Sequence, residues 1–101
     1  MIDIQLIRDK PELVKEAMEK VGEDPDVVDR VRELDSRWRE VISEAQDLKA
    51  RRNRESKKIG QMEDEEKRQQ LIDEMRQVGE KIDRLDEESG ELRDELDGLM
   101  L

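Results

Sequence analysis

Positions 51 to 58 read RRNRESKK, and these residue types are suited to holding phosphate. Arginine offers a planar fork of donors, lysine a mobile point charge, and asparagine and serine add hydrogen bonds to phosphate, ribose or base edges. Arg51, Arg52, Asn53, Arg54, Ser56, Lys57 and Lys58 are therefore the candidate nucleic-acid contacts. A plainer reading of the same residues is a helix C-terminal turn, whose cations complement the helix dipole and neutralise nearby acids. The rest of the chain makes the cluster conspicuous. Residues 1 to 50 carry 14 acids and 9 bases, residues 51 to 62 carry 1 and 5, and residues 63 to 101 carry 15 and 6, for a net charge of −10. A chain so acidic repels polyanions except where its bases collect.

Other chemistry finds little to work with. There is no histidine and no cysteine, and neither a phosphate-cradling glycine loop nor a dinucleotide fingerprint occurs. Paired carboxylates are abundant, but on solvated helix faces they serve as solubilising charge and lack the burial that tunes an acid or base. The chain is expected to be non-catalytic, with no cofactor or metal of its own.

The elements that would position the basic cluster are legible in the spacing of the apolar residues. Half of the residues are charged, a third are hydrophobic, and Trp38 is the only aromatic, which disfavours a β-sandwich or barrel and favours long helices. Near the N-terminus Met1, Ile2, Ile4, Leu6 and Ile7 fit either a short strand or an irregular helical turn. Pro11 suits a helix start, Leu13, Val14, Ala17, Met18 and Val21 make an apolar face, and Gly22 ends it. Asp24-Pro25-Asp26 signals the next start. From there Val27, Val31, Leu34, Trp38, Val41, Ala45 and Leu48 alternate in steps of four and three, a coiled-coil seam that continues through Arg52, Glu55, Ile59 and Met62.

A second seam runs through Leu71, Met75, Val78, Ile82, Leu85, Ser89, Leu92, Leu96 and Leu99. Sustained periodicity of this kind excludes a disordered acidic chain. Pairs such as Asp35 with Arg39, four residues apart, are expected to support the exposed helix faces. Between the seams, Lys57 and Lys58 favour a helix end, Gly60 is suited to a left-handed C′ position, and Glu63-Asp64-Glu65-Glu66 favours a new start. The expected fold is all-α: a long antiparallel two-helix coiled-coil hairpin with a short N-terminal helix packed at its base. Its segments are 1–22 for the base, 25–59 for the outgoing helix, 60–63 for the turn and 64–99 for the return. Facing seam residues should have numbers summing to about 123, which places Leu48 near Met75, Val27 near Leu96 and Glu55 opposite Arg68. With ~1.5 Å of rise per residue, the arm would be on the order of 50 Å long. Lys67, Arg68, Gln69 and Gln70 then come to the basic end of the arm, and Arg68 joins the candidate contacts.

The order of features resembles the N-terminal domain of seryl-tRNA synthetases. The opening MIDIQLIRDKPELVKEAMEKVG is similar to that family's hydrophobic start, Pro-Glu-Leu-Val and short helix closing on glycine, and RVRELDSRWREVISEAQDLKARRNRESKKIG is similar to its Arg-Asn, Ser-Lys and Ile run, here Arg52-Asn53, Ser56-Lys57 and Ile59. The resemblance implies an arm that grips serine tRNA between its long variable arm and TΨC corner, within a class II ligase that uses ATP and Mg²⁺ in a separate catalytic domain. It also implies a homodimer formed through that domain, and cytoplasmic localisation. The chain is expected to stop at DELDGLML, about where the linker to that domain begins. Neither DNA nor a membrane is an expected partner, since no apolar run approaches membrane-spanning length. Lys10 departs from the family's usual N-cap asparagine, and the acidic QMEDEE would repel phosphate at the extreme tip. The flanks below the tip are therefore the expected contacts, with Arg52 in the seam. Two other arrangements fit a seam of this type: a prefoldin-like hairpin that holds protein partners at its tips, and a homodimeric spacer whose seams pair between chains.

Overall fold

The computed structural model describes residues 3–100, so Met1 and Ile2 lie outside the described part. Four helices follow in order, α1 Ile4–Asp9, α2 Pro11–Lys20, α3 Asp26–Ile59 and α4 Glu65–Met100, and no strand occurs among the described residues. The fold is the all-α hairpin that the two seams predict. It divides into two units: one combines the chain up to Arg39 with the residues from Gly90 onward, and the other is Glu40–Ser89.

The Glu40–Ser89 unit is a two-helix hairpin. Val41, Ala45, Met75, Val78, Ile82 and Leu85 are its buried residues, and Leu48, Ile59 and Leu71 pack partly buried against Met75, Val78 and Ile82. A half-charged sequence can hold two helices together this way because each presents one narrow apolar stripe to the other. Ion pairs cross beside the stripe. Glu44 meets Lys81 at 3.0 Å and Arg51 meets Glu74 at 3.7 Å, both within two residues of the register read from the seams. Lys49 reaches Asp86 at 3.1 Å. All three pairs are solvent-exposed and so contribute little to stability, but they mark which flanks of the helices adjoin.

The turn differs from the expectation at Gly60. Gly22 is the only described residue with positive φ, at 78°, so Gly60 does not take the left-handed C′ conformation. The chain leaves α3 through successive tightened bonds instead: Gln61 N–H donates to the Lys58 carbonyl at 3.0 Å and Met62 N–H to that of Ile59 at 3.3 Å. Short-range bonds of this kind satisfy the last carbonyls of a helix without a left-handed residue. Gly22 does act as a left-handed stop for α2: Glu23 N–H donates to the Met18 carbonyl at 2.8 Å and Gly22 N–H to that of Glu19 at 3.2 Å.

In the other unit α1 and α2 pack on α3 and α4. Ile7, Val14 and Met18 join Val28, Val31, Leu34 and Leu96 in one core, with Val27 and Trp38 partly buried against it. Trp38 is thus a bulky core residue, and the Arg93 guanidinium lies 5.4 Å from its ring centroid. Two expectations are corrected here. The α2 face is only half used: Val14 and Met18 are buried, whereas Leu13, Ala17 and Val21 stay exposed. Asp35 is not on a solvated face; it is 4% exposed, and its carboxylate accepts from Arg8 Nε at 2.8 Å and Nη2 at 2.6 Å. Arg39, its expected partner, stands farther off at 3.8 Å. The heptad reading counts only the α3 face turned to α4, and α1 covers a second face.

A buried carboxylate needs such a fork, since a lone charge out of water is costly. The hydrogen bonds from Arg8 hold the Asp35 carboxyl below its ordinary range, against the opposing push of burial. The stabilisation is therefore present above the unfolded carboxyl pKa, near ~3.9, and is lost as pH falls through the lower folded value. Asp35→Asn is expected to cost about 2 kcal/mol at neutral pH, because Arg8 loses a charge-assisted partner. Urea unfolding followed by circular dichroism at pH 7 and pH 3 checks this: the gap between variant and parent should narrow at pH 3, and a gap independent of pH would contradict the assignment.

Candidate nucleic-acid interface

The basic cluster occupies the last two turns of α3, inside the Glu40–Ser89 unit. A helix brings residues three and four apart onto one stripe, with their Cβ atoms roughly 5–6 Å apart. Arg51, Arg54 and Lys58 follow that spacing, and Lys57 stands beside Arg54 and Lys58. Arg51, Asn53, Arg54, Ser56, Lys57 and Lys58 are exposed, whereas Arg52 and Arg68 are half-buried at seam positions.

The cations differ in how they are engaged. Arg51 shares Glu74 across the hairpin at 3.7 Å, Lys58 lies 3.4 Å from Glu55 and Arg68 3.8 Å from Glu65. Glu55 and Arg68, placed opposite each other by the seam, each find a partner one turn away on their own helix. Arg54 and Lys57 have no ion-pair partner among the described residues, so they are the least committed charges of the cluster. Their neighbours Asn53 and Ser56 bring uncharged donors and acceptors to the same two turns.

Lys67, which the seam register brings to the basic end of the arm although only Arg68 of that group is named as a contact, belongs with these residues. It is exposed, has no ion-pair partner among the described residues, and lies one heptad before Glu74, just as Lys58 lies one heptad beyond Arg51. The Arg51–Glu74 pair therefore defines a flank to which Lys58 and Lys67 both come. The heptad positions carry the signal for Lys67 as they do for Arg68.

The acidic quartet is tied to the start of α4. The Asp64 carboxylate accepts from the N–H groups of Glu66 at 3.0 Å and Lys67 at 3.2 Å, an N-cap, and Glu65 and Glu66 occupy the first turn, where the dipole favours negative charge. These acids have a structural reason to stand next to the bases. What the arrangement can do chemically is bind a polyanion along α3 and the opening turn of α4. No group of three or more potential metal ligands occurs among the described residues. Nor is any helix among them long and apolar enough to cross a membrane.

Comparison with known proteins gives a consistent result. A family model described as the seryl-tRNA synthetase N-terminal domain matches residues 1–101. The chain is 44% identical over its full length to a serine–tRNA ligase of Herpetosiphon aurantiacus and 41% identical to one of Thermomicrobium roseum, of which it covers 24% and 22%. In three dimensions it is similar to the crystal structure of seryl-tRNA synthetase from Pyrococcus horikoshii complexed with ATP, with a TM-score of 0.91 and 34% identity over 99% of this chain and 23% of that one. The chain thus spans about a quarter of the length of the relatives it matches.

Because Asp64 caps the helix that brings Lys67 to the basic flank, Asp64→Ala should cost roughly 1 kcal/mol and loosen the first turn of α4. Hydrogen exchange at the amides of Glu66 and Lys67 should quicken by several-fold while Ile82 stays protected. Unchanged exchange at those two amides would mean that the cap does not hold this turn.

Proposed function

The chain belongs to the seryl-tRNA synthetase N-terminal domain family, and from that membership together with the geometry of its basic flank we propose that it is the tRNA-binding arm of a serine–tRNA ligase. The observation that carries the reading is the clustering, in the last two turns of α3, of Arg54 and Lys57, exposed and without ion-pair partners among the described residues, beside Arg51, Asn53, Ser56 and Lys58. Charge left uncommitted in an acidic protein is suited to a phosphate backbone.

The ligand is serine tRNA, held by its long variable arm and TΨC region. Structured RNA suits this surface: the deep major groove of an A-form helix admits no side chain, so recognition rests on phosphates, 2′-hydroxyls and shape. Stacking contributes nothing here, since the one aromatic ring is in the core. Arg54, Lys57, Lys58 and Arg51 contact phosphates, Asn53 and Ser56 add hydrogen bonds, and Lys67 extends the contact onto α4. Arg52 and Arg68, half-buried, act from the edge of the seam. The acidic residues at the tip, Glu63 to Glu66, stay clear of the RNA.

The arm itself is non-catalytic. Joining serine to tRNA at the expense of ATP, with Mg²⁺, belongs to the catalytic domain of the longer enzyme, through which the homodimer also forms, and the site of action is the cytoplasm. A prefoldin-like role is less well supported, because Ile59 and Met62, the apolar residues nearest the turn, are half-buried and leave no apolar tip to hold a client.

Arg54→Ala combined with Lys57→Ala should weaken serine-tRNA binding about tenfold or more at moderate salt, and lower the slope of log affinity against log salt by about 2, one for each phosphate that is no longer neutralised. Titration of labelled tRNA over a series of salt concentrations measures both quantities. Equal affinity and equal slope in the double variant would remove these two residues from the interface.

A further inference from the structure

A protein that is one-third hydrophobic nonetheless leaves four large apolar side chains in solvent among its described residues: Leu6 is 41% exposed, Leu13 53%, Val21 75% and Leu99 38%. All four belong to the unit formed by α1, α2 and the base of α3 and α4, and all line a single open concavity of about 1010 Å³. Ala17 continues the surface between Leu13 and Val21, and Val27 and Met100 form part of its floor. Scattered apolar residues need no explanation, but a contiguous patch usually marks an interaction surface. This one arises because α2 carries a broader apolar face than α3 and α4 cover.

The charges around the patch narrow the occupant. Asp3, Glu23 and Asp24 line its rim, and no Lys or Arg does. A second copy of this chain would set acid against acid, whereas an apolar surface rimmed by Lys or Arg would complement it. Length and position point the same way. About three quarters of each relative lies outside the matched domain, and because that domain is the N-terminal one, the remainder follows the counterpart of Leu101. Leu99 and Met100, in the last described turn of α4, line the concavity, so a polypeptide continuing from there would leave beside the patch.

We propose that the face formed by Leu6, Leu13, Ala17, Val21 and Leu99 is the seat of the downstream catalytic body of the ligase, which docks there through an apolar surface rimmed by basic side chains. The proposal rests on the ligase reading above. It adds a second role for the domain: α1 and α2 are a docking plate that fixes the base of the arm, separate from the residues that meet RNA.

The test compares hydrogen exchange in the 101-residue chain with exchange in a fusion in which the remainder of the Herpetosiphon aurantiacus ligase follows Leu101. Amides of α2 are expected to exchange at least tenfold more slowly in the fusion. Leu13→Glu with Val21→Glu should abolish that slowing while leaving the helicity of the isolated chain unchanged, since both side chains are already exposed. Serine-dependent exchange of pyrophosphate into ATP reports that the fused body is folded. Adding the same body as a separate chain, at rising concentration, provides a second measurement that does not depend on the fusion. Equal exchange rates with and without the body overturn the proposal. So does slowing that appears in the isolated chain as its concentration rises, accompanied by a doubling of its 12.0 kDa mass, which would make a second copy the occupant. Failure of the RNA reading would appear separately, as loss of tRNA binding by the isolated chain.

Discussion

The constraint on which everything else depends is the scarcity of apolar surface. With one residue in two charged, the chain cannot build a thick core and must concentrate its hydrophobic side chains into stripes narrow enough for two helices to share. Val41, Ala45, Val78 and Ile82 have little redundancy behind them, because a two-helix layer has no third element to bury a misplaced side chain. Long helices follow from this scarcity, since a thin seam has to be long to bury enough area. Their outer faces are then free to carry almost any charge pattern, and the basic flank is one such pattern.

Charge bias alone does not make a binding surface, because about half of the cations among the described residues are engaged by carboxylates. Lys15 lies 2.9 Å from Asp29, Arg30 3.2 Å from Glu95 and Lys81 3.0 Å from Glu44. The acids near the basic flank are drawn off in turn, Asp64 by backbone amides and Glu74 by Arg51. The local surplus of positive charge results from this distribution, and it would vanish if the same residues were scattered along the helix.

What could be read from the sequence was whatever depends on period. The seams of α3 and α4, the start at Asp24-Pro25 and the stop at Gly22 are local or repeating signals, and the register that set Leu48 beside the Met75 cluster came from the same arithmetic. What escaped depends on a third partner. Asp35 looked like one half of a surface pair because its distance from Arg39 can be counted along the chain, whereas its approach to Arg8 requires knowing that α1 folds back on α3. Val28 escaped for the same reason, lying off the seam yet only 1% exposed. Leu13 and Val21 erred in the opposite direction: their spacing marks an apolar face but does not say whether this chain covers it. At the candidate interface, composition located the cluster, but only the geometry separated the committed cations, Arg51 and Lys58, from Arg54 and Lys57.

The turn at Gly60 bears on how such a hairpin changes over evolutionary time. Its backbone stays out of the left-handed region, and a Cβ added at residue 60 would meet nothing closer than the Lys57 carbonyl oxygen at 3.5 Å, so the reversal makes no demand for glycine. A turn so undemanding can be carried outward intact. Inserting seven residues in each helix would preserve the seam and move the turn by about 10 Å, and deleting seven from each would bring it back by as much. The reach of the hairpin is therefore a quantised trait, adjustable one heptad at a time to the dimensions of whatever it must span, with no redesign of either end.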